Sequence, residues 1–353
     1  MSLEPPFAID GRGMAALIEG IPEQIEQARE ALAAHPWALP PGSPSLLAVG
    51  AMGGSAIAAD LTAGLHADRL PRPLVVVRDY DWPAFVTPAA LALHASYSGG
   101  TAETLALYRE SARRNLPRVA LTTGGALAEL CERDRVPWFR LPGGMPPRAA
   151  LFASWVPLTG LLAALGWCDD AGADWAEAVA RLRELRLRAG AAVPEARNPA
   201  KQLATALLGR HVLVYASGML APVATRIRQQ LNENAKLPAH SAVVPELNHN
   251  EIVGWERPDA FHRNATVLVL RDPEDLPENV RRLELTADYA RTQGADVRTI
   301  ESGSGGRLAR MAHLIMFGDY VSLYLAVARG VDPTPITSID QFKRRMAEAA
   351  GGA

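Results

Sequence analysis

Cysteine is nearly missing from this chain: 353 residues hold two, Cys131 and Cys168, which form neither a CxxC pair nor a disulfide framework. That rules out a disulfide-stapled scaffold and predicts a reduced, cytoplasmic protein, as does the lack of a basic-then-apolar leader in the opening residues. Net charge is equally scarce. Lys plus Arg number 36 against 38 Asp plus Glu, a formal −2, so no basic field exists to hold a nucleic-acid backbone and no nucleic-acid partner is expected. Long apolar runs are few. The uncharged stretch from Ala149 to Trp167 approaches the length of a bilayer span, but Pro157 and Gly160 interrupt it and Ser154 and Thr159 lower its apolarity. A buried helix is predicted there, and no membrane association. What remains is 48% hydrophobic and 21% charged, the composition of a packed globular protein, with length enough for two domains.

Short apolar runs at Leu46 to Met52, Leu74 to Val77, Leu91 to Ser96 and Val119 to Thr122 suit strands covered on both faces. Helical periodicity fills the gaps at Ala56 to Leu65, Ala102 to Leu116 and Ala126 to Arg133, and alternation of this kind implies parallel strands with right-handed crossovers. After the charged helix Ala173 to Ala189 and a Pro-bearing linker, Gly190 to Pro199, the pattern restarts. Strands are expected at His211 to Ala216, Ala265 to Arg271 and Val297 to Ile300, and helices at Val223 to Lys236, Glu278 to Gln293, Gly306 to Arg329 and Ser338 to Ala350, the last capped by Ser338 with Asp340 in its first turn. The fold class is therefore α/β, two doubly wound parallel-sheet domains facing each other: residues 1–189 with an N-terminal helical extension, and 200–353 with a closing helix. Ligands of such sheets sit outside the carboxyl ends of the strands.

Two loops at those ends could hold an anion. Gly50-Ala51-Met52-Gly53-Gly54-Ser55 joins the first strand to the first helix, where free amides and the helix dipole favour negative charge. Its glycine spacing is not that of a dinucleotide fingerprint, so no nicotinamide cofactor is expected. Ser96-Tyr97-Ser98-Gly99-Gly100-Thr101 brings hydroxyls to a second helix N-terminus. With no GxxxxGK[ST] lysine beside them, the two loops suit a phosphate monoester such as a sugar phosphate. In the second half, LNENAK (Leu231 to Lys236) and PELNHNE (Pro245 to Glu251) concentrate carboxylates, amides and an imidazole. No HExxH occurs and the eight histidines are scattered, so no metal is expected. Taken singly, Glu233 reads as a helix residue pairing with Lys236 at i+3, and His249 as a cap or a satisfied core histidine.

GAMGGSAIAADL (Gly50 to Leu61), SYSGGTAETL (Ser96 to Leu105), PPRAAL (Pro146 to Leu151), LNENAK, PELNHNEIVGW (Pro245 to Trp255) and YLAVARGVDPTPITSIDQFK (Tyr324 to Lys343), in this order, resemble the bifunctional phosphoglucose/phosphomannose isomerases, built from two sugar isomerase (SIS) domains. The chain departs from the family pattern at Ala51, Gly100 and Ala102, none of which removes a hydroxyl. The resemblance implies an aldose-ketose isomerase interconverting glucose 6-phosphate and mannose 6-phosphate with fructose 6-phosphate through a cis-enediol, without metal or cofactor. It places phosphate binding on Gly53, Gly54, Ser55, Ser96, Ser98 and Thr101, the proton-transfer base on Glu233, ring opening on His249, enediolate stabilisation on Arg148 and a further lysine on Lys343, with room at C2 set near Thr334. It also implies a homodimer whose histidine reaches the neighbour's site. The competing readings are a SIS-type regulator, which needs the hydroxyl loops but not the acid/base groups, and an isomerase of another phosphosugar.

Overall fold

The computed structural model describes residues 3–5 and 7–351. The apolar runs of the first half form β1 (Leu47–Ala51), β2 (Leu74–Val77), β3 (Leu91–Ser96), β4 (Arg118–Thr122) and β5 (Trp138–Arg140), a parallel sheet in the order β2-β1-β3-β4-β5. Every residue of β1 and β3 is buried, which is why these strands read as unbroken apolar runs. The second half repeats the arrangement with β6 (His211–Ala216), β7 (Ala239–Val243), β8 (Ala265–Arg271) and β9 (Asp296–Glu301), again all parallel, in the order β7-β6-β8-β9. The sequence reading has no strand at β5 or β7. Both are edge strands, one only three residues long and the other carrying His240 and Ser241, so neither shows a buried-strand pattern.

The helices are α1 (Met14–Glu19), α2 (Ile21–Ala34), α3 (Gly53–Leu65), α4 (Ala102–Arg113), α5 (Gly125–Asp134), α6 (Leu151–Ala164), α7 (Gly172–Ala189), α8 (Pro199–Ala206), α9 (Ala221–Glu233), α10 (Ala260–Arg263), α11 (Pro277–Thr292), α12 (Arg307–Arg329) and α13 (Thr337–Gly351). The uncharged stretch Ala149 to Trp167 is, as expected, the buried helix α6. α12 is itself long and apolar enough to cross a membrane, yet 83% of its most apolar window is buried inside the protein, where α7, α8 and α9 pack around it. One apolar core runs through both halves, from Ile57 of α3 and Trp155 of α6 to Ile227 of α9 and Leu323 of α12.

The linker is well ordered, and one expected helix cap is corrected. The stretch Gly190 to Pro199 is firmly fastened: Asn198 is fully buried and caps α8 by accepting from the amides of Ala200 and Lys201, both at 3.0 Å. Tyr324 donates to the Ala189 carbonyl at 2.6 Å, and Lys201 Nζ to that of Ala191 at 2.9 Å. The closing helix begins at Thr337, so Ser338 lies in its first turn and is not its cap, while Asp340 occupies the first turn as expected. Residues 337–346 of α13 are all exposed, including Ile339, Phe342 and Met346 at 40, 66 and 52%.

Candidate active site

Each sheet reverses its winding at its first strand: β2 and β3 flank β1, and β7 and β8 flank β6. Loops leaving the carboxyl ends of such strands diverge and open a crevice. In the first sheet the register Ala51↔Ala95 sets the loop after β1 beside the loop after β3. These are the two loops singled out by their glycines and hydroxyls.

In the first loop, Met52 O accepts from the amides of Ser55 and Ala56 at 3.2 Å each, leaving the amides of Gly53 and Gly54 to point out of the start of α3. Ser55 is buried to 7% exposure, and its hydroxyl makes no hydrogen bond among the described residues. In the second loop Ser96 Oγ and Thr101 Oγ1 lie 2.8 Å apart, Ser98 Oγ accepts from the Gly100 amide at 3.3 Å, and Thr101 is the residue from which α4 starts. Ser98 is exposed. Gly99 has φ +66, and a Cβ there would stand 1.8 Å from the Gly124 carbonyl, so no other residue fits that turn.

Gly54 connects this edge of free amides and hydroxyls to the charged groups. A Cβ at Gly54 would lie 3.0 Å from the Pro147 carbonyl and 3.6 Å from Arg148 Cα, so the loop rests directly on the turn that carries Arg148. Arg148 is only 3% exposed. Its Nε donates to Asn234 Oδ1 at 2.7 Å, and Nη2 to the carbonyls of Pro333 at 2.7 Å and Thr334 at 2.8 Å. The remaining edge, Nη1, stands 3.6 Å from Glu233 Oε2. Burial pushes the Arg148 pKa down, and Glu233 and Asp319 oppose that shift. Glu233, at the last turn of α9, keeps 31% of its side chain exposed. The i+3 pairing expected with Lys236 does not form through the carboxylate: Lys236 Nζ donates to the main-chain carbonyl of Glu233 and, at 3.2 Å, to that of Pro333. Lys236 adopts φ +54, and burial together with the nearby Arg148 pushes its pKa down.

The structure thus joins the first loop, Arg148 and Glu233 within one chain. It does not bring in the other two candidates. His249 ends a short helical turn, Glu246–His249, at the carboxyl side of β7 and is exposed; Lys343 is exposed on α13. Among the described residues no hydrogen bond or ion pair ties either one to Glu233, Arg148 or the hydroxyl loops. His249 is therefore neither a cap nor a core histidine. The cations at the site in a single chain are Arg148 and Lys236. Asn234, Lys236 and the Pro333 and Thr334 carbonyls were not singled out as site groups; Thr334 was expected nearby and is, at 5% exposure, buried against Arg148.

The second crevice carries carboxylates of its own. Ser217, following β6, donates to Asp275 Oδ1 at 2.5 Å, and the Asp272 amide donates to Asp275 Oδ2 at 2.8 Å, so the chain's own carboxylate takes the place of an anion there. A cavity of about 980 Å³ between α3, the α6–α7 connection and the start of α12 is lined by Asp68, Asp169, Asp170, Asp174 and Glu274 against Arg69 and Arg307, a balance that repels a phosphate ester. Among the described residues no group of three or more His, Cys, Asp or Glu is placed to hold a metal ion.

Residues 196–346 match the family of the bacterial phospho-glucose isomerase C-terminal SIS domain. Over 332 residues, 94% of this chain and 98% of the relative, the sequence is 38% identical to a bifunctional phosphoglucose/phosphomannose isomerase of Caldicellulosiruptor bescii. It is 30% identical over 301 residues, 85% of this chain and 89% of the relative, to the protein of the same name from Aquifex aeolicus. Among solved structures, a hypothetical protein from Thermus thermophilus superposes with TM-score 0.73 at 16% identity, covering 96% of this chain and 91% of that one. Tagatose-6-phosphate ketose/aldose isomerase from Escherichia coli superposes with TM-score 0.68 at 16% identity, covering 92 and 94%. These two likenesses bear on the fold.

Proposed function

This chain belongs to the bifunctional phosphoglucose/phosphomannose isomerases, and from that premise we propose that its first crevice grips the phosphate of glucose 6-phosphate or mannose 6-phosphate while Glu233 and Arg148 carry out the conversion to fructose 6-phosphate. The observation that carries this reading is the unbroken contact from Gly54 through Arg148 to Glu233, which sets an anion-binding edge beside a carboxylate and a fixed cation.

With the phosphate on the amides of Gly53 and Gly54 and the hydroxyls of Ser55, Ser96, Ser98 and Thr101, the carbonyl end of an open-chain sugar reaches toward Glu233. The carboxylate removes the C2 proton, the electron pair forms a C1–C2 double bond, and the charge on the oxygen faces Arg148 Nη1. Returning the proton from the carboxylate to C1, while the O2 proton passes to O1 and C2 becomes the carbonyl, gives the ketose. Because a planar enediol retains no memory of its C2 epimer, one base serves both aldoses. Purified protein treated with a chelator and dialysed is expected to form fructose 6-phosphate from each aldohexose 6-phosphate; formation from neither would contradict the reading.

Ring opening needs a proton donor, and a protonated imidazole within reach of the ring oxygen supplies one. We assign it to His249 of a second copy in a homodimer. His249 is exposed in the single chain, and α13 leaves the body shortly after Thr334 with Lys343 and an uncovered apolar stripe that a second copy would bury. Mixing His249→Ala with Glu233→Gln chains and allowing subunit exchange is expected to restore roughly a quarter of wild-type activity, since half the dimers would hold one intact site. Silence of the mixture would rule out sharing. The two unbridged cysteines, Cys131 and Cys168, suit a reducing, cytoplasmic setting.

A further inference from the structure

Behind Arg148 lies a second arginine that the reaction does not touch. Arg226 of α9 is 1% exposed, and its Nη2 donates to the main-chain carbonyl of Arg148 at 2.8 Å and to Asp319 Oδ2 at 3.0 Å. Asp319 is 4% exposed in the middle of α12; Gln230, one turn beyond Arg226, faces the same carboxylate. Three residues beyond Asp319, Ser322 Oγ accepts from Asn234 Nδ2 at 2.9 Å, and Asn234 Oδ1 in turn holds Arg148 Nε. One face of α9, from Arg226 through Gln230 to Asn234 just past its end, is thus bolted to one face of α12 by polar groups, and Arg148 is gripped twice, at its side chain and at its backbone.

A buried ion pair is a poor way to stabilise a core, because desolvation commonly exceeds the attraction, and apolar residues of similar size often do as well or better. This one is also incompletely satisfied: Arg226 Nε, Asp319 Oδ1 and Gln230 Oε1 are buried without a hydrogen-bond partner among the described residues. Arg148 itself sits in a 3₁₀ turn of four residues, Pro147–Ala150, too short to hold its own orientation. We propose that Arg226 and Asp319 are positioning residues for Arg148, fixing the main chain beneath its guanidinium so that the Nη1 edge faces Glu233 and the substrate oxygen. This rests on the roles of Arg148 and Glu233 given above.

The test compares the full-length wild type with Asp319→Asn and with the paired replacement Arg226→Met plus Asp319→Leu, reading melting temperature, kcat, KM and the pH profile. With both members of the buried pair replaced by apolar residues of similar size, the paired variant is expected to melt no lower than the wild type. Its kcat is expected to fall about 10- to 100-fold through misplacement of Arg148, while KM, set by the phosphate loops, changes little. A folded paired variant with wild-type kcat overturns the proposal. If the paired variant does not fold, Asp319→Asn decides. The charged groups around Glu233 are Arg148, Lys236 and Asp332, with Arg226 and Asp319 behind them. Loss of the Asp319 charge leaves Arg226 uncompensated behind Arg148, so kcat is expected to drop and the acidic limb of its pH profile to move to lower pH; an unmoved limb with unchanged kcat overturns the proposal. Arg148→Met and Glu233→Gln serve as controls. If they keep activity, the site reading itself is wrong; if they lose it while the paired variant does not, only the positioning inference fails.

Discussion

Replacing Glu233 with Gln is expected to lower kcat by about 10² to 10⁴-fold while KM stays within a factor of about two, measured by steady-state formation of fructose 6-phosphate. Gln has nearly the same shape and hydrogen-bonding reach as Glu but cannot take a proton from carbon. The groups assigned to the phosphate belong to the other end of the crevice, on the loops after β1 and β3, and make no hydrogen bond to Glu233. Loss of turnover with retained binding therefore separates chemistry from recognition. A parallel rise in KM with kcat preserved would make Glu233 a binding group and send the search for the base elsewhere.

Acidification is expected to destabilise the first domain through His94. This residue sits at the centre of β3, fully buried, between the rings of Trp82 and Tyr108 at 5.7 and 5.1 Å, with neither ring nitrogen hydrogen-bonded. Burial, aided by the Arg118 charge, pushes its pKa down to about 3. In the unfolded chain a histidine binds its proton near pH 6.5, so between there and about pH 3 the unfolded state holds the extra proton, and stability falls as pH falls. At about pH 4.5 the loss amounts to roughly 2 to 3 kcal/mol. His313 of α12, pushed down to about 4 by burial, adds in the same direction. A chemical-denaturation series from about pH 7 to pH 4.5 on wild type and His94→Phe checks this: the wild-type curve should fall more steeply, by about that amount. Parallel curves would show that His94 finds a partner in the folded state.

The loops carrying Ser55, Ser96, Ser98 and Thr101 are legible in the sequence because a strand-to-helix turn is a local object: a strand ends, glycines and hydroxyls follow, a helix begins. Glu233 and Arg148 stood out by their motifs, yet their 3.6 Å approach is a property of packing, created where α9 meets the Pro147–Ala150 turn. The Pro333 and Thr334 carbonyls that hold Arg148 leave no trace in the sequence, since any residue offers a carbonyl. Asp319 did leave one. A carboxylate inside the long apolar stretch of α12 has no place in a core unless something pairs with it, and that pattern could have led to Arg226. The edge strand β7, with its exposed and half-buried positions, reads as loop until its neighbour β6 is in place. His249 and Lys343 are exposed in the single chain, the condition in which a group serving a second subunit would be found.

Deuterium wash-in tests most directly whether Glu233 carries the hydrogen. Glucose 6-phosphate incubated with the protein in D₂O is followed by proton NMR at C2 of the aldose and C1 of the ketose. Wild type is expected to place solvent deuterium at both positions, because the proton on the carboxylate exchanges with water before it returns, and Glu233→Gln is expected to place none while still binding the sugar phosphate. Exchange by Glu233→Gln at the wild-type rate would contradict the assignment.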